Sequence, residues 1–143
     1  MSATRHHPQT VCPTCAKGQL VREERTARFE YRGEICEYEQ LGDWCTFCGE
    51  AVLSGDDMAA TESVLADFMR RVEEDQAGEL MRIRKKLKLT QRQAAALTGG
   101  GHNAFSRYER GEAKPLPAVM HLFRLLDRHP ELLEELKNAT RSS

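Results

Sequence analysis

The chain has 143 residues, 40% of them hydrophobic and 30% charged, and its net charge of −1 combines an acidic half with a basic one. No apolar run approaches the roughly 18 residues that a membrane-spanning helix needs, and the first residues lack the charged and then apolar pattern of a secretion signal. These features favour a soluble cytoplasmic protein of one or two small domains and argue against an exported or membrane-embedded one.

Four of the five cysteines form two C-x2-C pairs, Cys12 with Cys15 and Cys45 with Cys48. Each pair can direct two sulfurs at one point, and two pairs complete the tetrahedron that Zn2+ prefers. The pairs are separated by 29 residues, which is longer than the usual gap of roughly 15–20, so the intervening segment must be structured. Two disulfides are the alternative, but disulfides persist in oxidising compartments, which this sequence gives no sign of entering.

Four thiolates would fill the coordination shell of one zinc ion per chain and leave no open position for water or substrate. We therefore expect a structural zinc, which stabilises small domains by roughly 10–16 kcal/mol. The fifth cysteine, Cys36, is expected to be a small packing residue of a strand, with a redox-sensing thiol as the alternative.

The segment between the pairs, residues 20–41, has the period-two alternation of β-strands. Ala27, Phe29 and Tyr31 alternate with charged residues, and Arg32-Gly33-Glu34 offers a turn. This pattern predicts a β-hairpin or small meander. Trp44, directly before Cys45, is expected to pack over the second cysteine pair.

From Ser54 the pattern becomes helical. Ser54 and Asp57 have the spacing of a capping box, and apolar residues then recur at helical spacing to about residue 75. We expect this helix to pack on the zinc module, and the acidic stretch 73–78 to be a linker. The sequence thus predicts an α+β protein of two domains. Residues 1–75 form a small zinc-ribbon-like β module with a helix, and residues 76–143 form an all-α five-helix helix-turn-helix domain.

The basic half has the element order of a helix-turn-helix. Residues 80–143 hold 13 Lys and Arg against 6 Asp and Glu, a charge of +7, whereas residues 1–79 carry −8. A helix is predicted over 79–87, and the capping box Thr90-Gln91-Arg92-Gln93 opens an Ala-rich helix that ends at Thr98. Three glycines and a helix over 102–110 follow, which is the spacing of a DNA-binding motif.

The last of these helices carries the candidate base readers. Ala104, Phe105 and Tyr108 can face a core, while Asn103 and Arg107 lie one turn apart on the other side. Asn suits adenine and Arg suits guanine in a major groove, although any amphipathic helix with a solvated polar face would look similar. Candidates for phosphate contacts are Lys85, Lys86, Lys88, Gln91, Arg92, Ser106, Arg110 and Lys114.

The C-terminal helices are rich in apolar residues. These are Val119, Leu122, Phe123, Leu125, Leu126, Leu132, Leu133 and Leu136. The surplus over the needs of a small monomer predicts a homodimer surface in this domain, which a reader of palindromic DNA requires. A five-helix core that uses all of them is the alternative.

The run TQRQAAALTGGGHNAFSRYERG, followed by LFRLLDRHPELL and preceded by the two C-x2-C pairs, resembles the MqsA (YgiT-type) antitoxin family over nearly the whole chain. The resemblance implies a type II antitoxin. Its zinc domain would bind an MqsR-type mRNA-cleaving toxin, and its XRE-type domain would dimerise on double-stranded operator DNA and repress transcription. It also implies that Cys12, Cys15, Cys45 and Cys48 are the zinc ligands and that Asn103 and Arg107 read bases. Cys36 and the extension before Cys12 depart from the family pattern, and no motif defines the toxin-contacting residues.

Two other functions compete with this one. The first is a stand-alone repressor whose zinc module, with Cys36, senses metal or redox state, although a closed four-thiolate site is a poor reversible sensor. The second is an adaptor that does not bind DNA, against which Asn103, Arg107 and the basic charge argue. An enzyme is not expected, because the sequence has no nucleophile–base motif, no phosphate-cradling loop and no open metal site.

Overall fold

The computed structural model describes residues 11–141, so the predicted N-terminal extension lies almost entirely outside the described residues. The chain divides into two compact units after Phe68. Within residues 11–141, no helix combines the length and the apolar character that crossing a bilayer requires.

The first unit is built on a three-stranded antiparallel sheet. Its strands are β1 (Leu20–Tyr31), β2 (Glu34–Cys45) and β3 (Ala51–Val52), in the order β1-β2-β3. Arg32 and Gly33 connect β1 to β2 with φ values of 52° and 85°, the two positive values that a two-residue type I′ hairpin turn requires. The predicted hairpin is confirmed. Its second strand continues to Cys45, which pairs with Leu20 at the start of β1.

One long helix, α1 (Gly55–Lys86), follows the sheet. The predicted capping box is present, since the Asp57 N–H donates to Ser54 Oγ at 3.1 Å and the Ser54 N–H donates to the Asp57 carboxylate at 3.0 Å. The predicted linker at 73–78 is wrong, because this stretch lies inside α1 and the helix predicted over 79–87 is the continuation of α1. Gly78 costs a helix only about 1 kcal/mol, and the other residues of the stretch are compatible with a helix.

In the first unit, the start of α1 packs on the hairpin through polar and aromatic contacts. Arg22 donates two hydrogen bonds to the Asp57 carboxylate, at 2.9 and 2.6 Å. The Gln40 side chain donates to the Asp57 carbonyl at 3.1 Å and accepts from Thr61 Oγ1 at 3.1 Å. The Phe68 ring meets Phe29 edge-on at 6.2 Å. The expected docking of this helix on the zinc module is confirmed.

The second unit consists of the end of α1 followed by α2 (Gln91–Thr98), α3 (Ala104–Glu109), α4 (Pro117–Arg128), a 3-10 turn (Pro130–Leu132) and α5 (Leu133–Arg141). Leu80, Ile83, Phe105 and Phe123 are its largest fully buried side chains. The Phe105 ring lies 5.0 Å from that of Phe123. The α+β fold class is confirmed, with the β module first and the helical unit second.

Candidate functional site: metal centre and nucleic-acid interface

The two C-x2-C pairs meet at the base of the sheet. The sulfurs of Cys12, Cys15, Cys45 and Cys48 all lie within 4.8 Å of one another. The Cys12–Cys48 and Cys15–Cys45 sulfur distances are both 3.7 Å. A tetrahedron with Zn–S bonds of about 2.3 Å sets its sulfurs about 3.8 Å apart, so the cluster has the size that zinc requires.

Backbone N–H groups point at the cysteine sulfurs. The amides of Phe47 and Cys48 point at Cys45 Sγ from 3.3 and 3.4 Å, and those of Lys17 and Gly18 point at Cys15 Sγ from 3.5 and 3.4 Å. Hydrogen bonds to the charged form favour the thiolate. Hydrogen bonds from these backbone amides are the largest cause of the lowered pKa values of Cys45 and Cys15. A backbone hydrogen bond lowers the pKa of Cys12 in the same way.

The fourth sulfur differs in its electrostatics. The Glu50 N–H lowers the pKa of Cys48, but desolvation and the three other sulfurs outweigh it and raise that pKa to about 12. Four thiolates this close repel one another, and a cation among them removes the repulsion. The donor set therefore fits a metal ion, and the four cysteines form the zinc site.

Gly18 makes room for the cluster. A Cβ atom built on Gly18 would lie 2.3 Å from Cys45 Sγ and 2.8 Å from Phe47 Cβ, so any larger residue displaces a ligand. Gly49, after the second pair, has a φ of 76°, which is the left-handed conformation that glycine tolerates best. Gly18 is thus required by the lack of space, and Gly49 by its backbone conformation.

Two other residues of the first unit lie outside the metal cluster. Cys36 is half-buried in β2, where it pairs with Phe29 in the hairpin register, as expected for a packing residue. The Trp44 ring has the Arg25 guanidinium 5.4 Å from its centroid, and its Nε1 donates to the Gln40 carbonyl at 3.2 Å. The sequence pattern did not predict these Trp44 contacts.

The helix with the candidate base readers, α3, is one or two residues shorter at each end than predicted. Ala104, Phe105 and Tyr108 are buried, whereas Asn103 and Arg107 are exposed. Asn103 is the N-cap residue, yet its side chain makes no capping hydrogen bond. Both polar side chains are available to a ligand, and their role as base readers stays a prediction.

The candidate phosphate contacts fall into three groups. Lys85, Lys88 and Arg92 are exposed, without an ion pair to another residue within 11–141, and Ser106 is half-buried. Three others form ion pairs, namely Lys86 with Asp127 at 2.8 Å, Arg110 with Glu112 at 3.1 Å and Lys114 with Glu73 at 2.9 Å. Gln91 donates its side-chain N–H to Glu109. Four of the eight candidates therefore already have a partner inside the protein.

One buried ion pair was not predicted from the sequence. Arg84 of α1 and Glu109 of α3 form an ion pair at 2.6 Å, with side-chain exposures of 12% and 4%. The two residues are 25 positions apart, so no helical or strand periodicity links them. Only the packing of α3 against the end of α1 brings them together.

Comparison with known proteins agrees with this architecture. Residues 10–137 match the family described as the antitoxin component of bacterial toxin-antitoxin systems, MqsA. The chain is 36% identical over 129 residues to Antitoxin MqsA of Escherichia coli (strain K12), an alignment that covers 88% of this chain and 98% of that relative. The chain therefore belongs to the MqsA family and is a zinc-binding, non-enzymatic antitoxin of a type II toxin-antitoxin system that also represses transcription.

Proposed function

We propose that the two tasks of this antitoxin are divided between its units. The first unit binds and neutralises an MqsR-type mRNA-cleaving toxin in the cytoplasm, and the second unit binds palindromic operator DNA as a homodimer. The DNA-binding part of this proposal rests on the arrangement of side chains on α3. Asn103 and Arg107 are exposed, while Phe105 and Tyr108 anchor the same helix in the core.

In this proposal α3 enters the major groove. The Asn103 amide pairs with an adenine, and the Arg107 guanidinium donates to O6 and N7 of a guanine, each pair contributing about 1–3 kcal/mol of discrimination. Because Asn103 does not cap its own helix, its amide reaches a base without first breaking an internal hydrogen bond. In a homodimer, two copies of α3 meet successive major grooves roughly 34 Å apart, and the operator is then two-fold symmetric.

Phosphate contacts supply affinity and register. The exposed side chains of Lys85, Lys88 and Arg92 and the first amides of α2 are the best placed for them, because the N-cap of α2 is Thr90, two residues after Lys88. Such contacts depend on salt and carry no sequence information. Lys86, Arg110 and Lys114 contribute less, since each must first leave a carboxylate partner.

The homodimer is supported by three leucines that lie outside the core and are exposed in the single chain. Leu116, Leu125 and Leu132 are 64%, 47% and 43% exposed. Full burial of such a side chain stabilises an interface by roughly 1.5–3 kcal/mol. Leu122 and Leu136 pack against the core of their own chain, so they contribute to the fold and not to the partner surface.

The toxin-binding part is supported by the charge of the first half of the chain. Exposed carboxylates occupy alternate positions of the hairpin, with Glu24 and Glu30 on β1 and Glu37 and Glu39 on β2. An mRNA-cleaving enzyme needs cationic side chains for its substrate, and an acidic partner associates with it rapidly. Neutralisation by the first unit is therefore electrostatically favourable.

The test of base reading is the substitution Arg107→Ala in the full chain. We expect a loss of about 1–3 kcal/mol in operator affinity and a lower ratio of operator to scrambled-DNA affinity. The matched control is Lys88→Ala, which should weaken binding to both duplexes equally and make the salt dependence shallower. If Arg107→Ala keeps the affinity ratio of the wild type, base reading by this residue is refuted.

The test of neutralisation mixes the full chain with the co-encoded toxin and measures RNA cleavage. We expect inhibition at stoichiometric antitoxin, and equal inhibition by the Arg107→Ala variant, because the two tasks belong to different units. Undiminished cleavage at saturating antitoxin would reject the toxin assignment. Weaker inhibition by Arg107→Ala would reject the division of tasks.

A further inference from the structure

The last residue of α3 is a buried carboxylate held from two other helices. Arg84, in the last turn of α1, donates its Nε–H to Glu109 Oε1 at 2.6 Å. Gln91, the first residue of α2, donates its side-chain N–H to Glu109 Oε2. Arg84 also donates from Nη1 to the Leu89 carbonyl at 2.8 Å. The Glu109 side chain is 4% exposed, so both oxygens are satisfied inside the protein.

This arrangement restricts α3 in a way that its apolar contacts do not. The helix has six residues, and its inner side is held by Phe105 and Tyr108, whose rings are 5.6 Å apart. Apolar packing tolerates small rotations and shifts, whereas hydrogen bonds to an ionised group are short and directional. Two such bonds to one carboxylate therefore fix both the rotation and the axial position of α3.

The stability of the fold is not a sufficient reason for such a pair. Replacing a buried ion pair by well-packed apolar residues is often neutral or stabilising, because the charges lose their hydration when they are buried. The best-attested use of buried ionic groups is to specify one arrangement among several. Glu109 lies two positions after Arg107, so any shift at Glu109 is passed to the exposed guanidinium.

We propose that Glu109 is a positioning residue for operator recognition, and that Arg84 and Gln91 hold its carboxylate so that Asn103 and Arg107 meet the base edges in register. This inference rests on the proposed base reading by α3. It also gives Gln91 a role besides the predicted phosphate contact, because one of the two N–H groups of its side-chain amide is donated to Glu109.

The central test is Glu109→Gln, measured as the affinities of the full chain for an operator duplex and for a scrambled duplex of the same length. We expect the ratio of the two affinities to fall about tenfold, the size of one misplaced base contact. Affinity for the scrambled duplex should stay within about twofold, because phosphate contacts supply this non-specific affinity and involve no base contact. A merely structural role would lower both affinities by the folded fraction and leave the ratio unchanged.

The matched control is Glu79→Gln. Glu79 of α1 accepts two hydrogen bonds from Arg124 of α4, both at 2.9 Å, in the same unit. We expect this variant to keep the wild-type affinity ratio. If Glu79→Gln lowers the ratio as much as Glu109→Gln does, the effect is general loosening of the unit, and the positioning role is rejected.

A second variant keeps the test decisive if Glu109→Gln does not fold. Gln91→Ala removes one hydrogen bond to Glu109 without leaving a charge unpaired, since Arg84 remains. A lower affinity ratio supports positioning, whereas an equal loss on both duplexes makes Gln91 a phosphate contact and overturns its proposed role.

Arg107→Ala separates the two proposals. If it lowers the ratio and neither Glu109→Gln nor Gln91→Ala does, positioning fails and base reading stands. If Arg107→Ala leaves the ratio unchanged, base reading by Arg107 is refuted, and the positioning of Arg107 by Glu109 is refuted with it.

Discussion

The two units of this antitoxin are stabilised by different kinds of interaction. Of residues 11–68, the buried apolar side chains are Cys12 and Cys45, which are themselves zinc ligands. In the second unit, a continuous core of aliphatic and aromatic side chains runs from Leu80 to Leu133. Burial of apolar surface is the main driving force of folding in most proteins, and here it is concentrated in the second unit.

In the first unit, the metal and directional polar contacts take the place of that core. Gln40, Asp57 and Thr61 are buried there and are satisfied by one another or by Arg22. A small module of this kind cannot bury enough apolar surface to offset its conformational entropy, and a structural metal compensates. The two units therefore differ in the source of their stability, and we expect that each can be disrupted separately.

Removal of zinc by a chelator should have the largest effect, and it should be confined to the first unit. Structural zinc contributes roughly 10–16 kcal/mol in small domains, so we expect this unit to unfold at neutral pH. The single tryptophan, Trp44, lies in the first unit, and its fluorescence reports the transition. The helical signal at 222 nm should keep a cooperative thermal transition from the second unit. A Trp44 spectrum that does not change on chelation would contradict the comparison.

Phe123→Ala should have the next largest effect and should be confined to the second unit. Phe123 is fully buried and packs on Phe105, so the cavity should lower the free energy of unfolding by about 3–5 kcal/mol. Urea unfolding at 222 nm measures this change. His121→Ala, an exposed position of the same helix, is the control and should change stability by less than about 0.5 kcal/mol. A matching shift in the Trp44 transition would show that the units unfold together.

Gly18→Ala should weaken zinc binding without affecting the second unit. The added Cβ would lie 2.3 Å from Cys45 Sγ, so a ligand must move, and we expect zinc affinity to fall roughly 10–100-fold, as for other changes next to a ligand. Competition with a chromophoric chelator measures the affinity. Gly55→Ala, whose Cβ would meet no atom within 4 Å, should retain wild-type affinity. Unchanged affinity in Gly18→Ala would mean that the loop adjusts freely.

Asp127→Asn should have the smallest effect, a loss of stability that is present above about pH 4 and disappears as the pH falls towards 2. Hydrogen bonds from Arg82 and Lys86 lower the pKa of Asp127 to about 2. Because this folded-state pKa lies below the unfolded value of about 3.9, the stability it contributes is complete above about pH 4 and is lost as the pH falls towards 2. The urea midpoint of the second unit should therefore fall less steeply between pH 4 and pH 2 in the variant. Identical slopes in variant and wild type would refute this assignment.

The sequence predicted a feature reliably where it depends on contacts between residues that are close in the chain. Thr90 and Gln93 form the reciprocal capping box that opens α2 at the predicted residue, because the spacing of a cap is fixed by a single helical turn. The turn at Arg32 and Gly33 and the two C-x2-C pairs are local in the same sense. The linker predicted at 73–78 was wrong, because acidic composition does not distinguish a solvated helix from a linker.

The sequence by itself determined the element types and the four zinc ligands. It also placed Asn103 and Arg107 on the side of α3 opposite to Phe105 and Tyr108. Each of these follows from the spacing of residues along one helix, strand or loop. The tertiary structure alone decided which polar side chains remain available. It paired Lys86 and Lys114 with carboxylates, and it joined Arg84 and Gln91 to Glu109. Contacts between residues distant in the chain depend on how helices pack, and no local period encodes them.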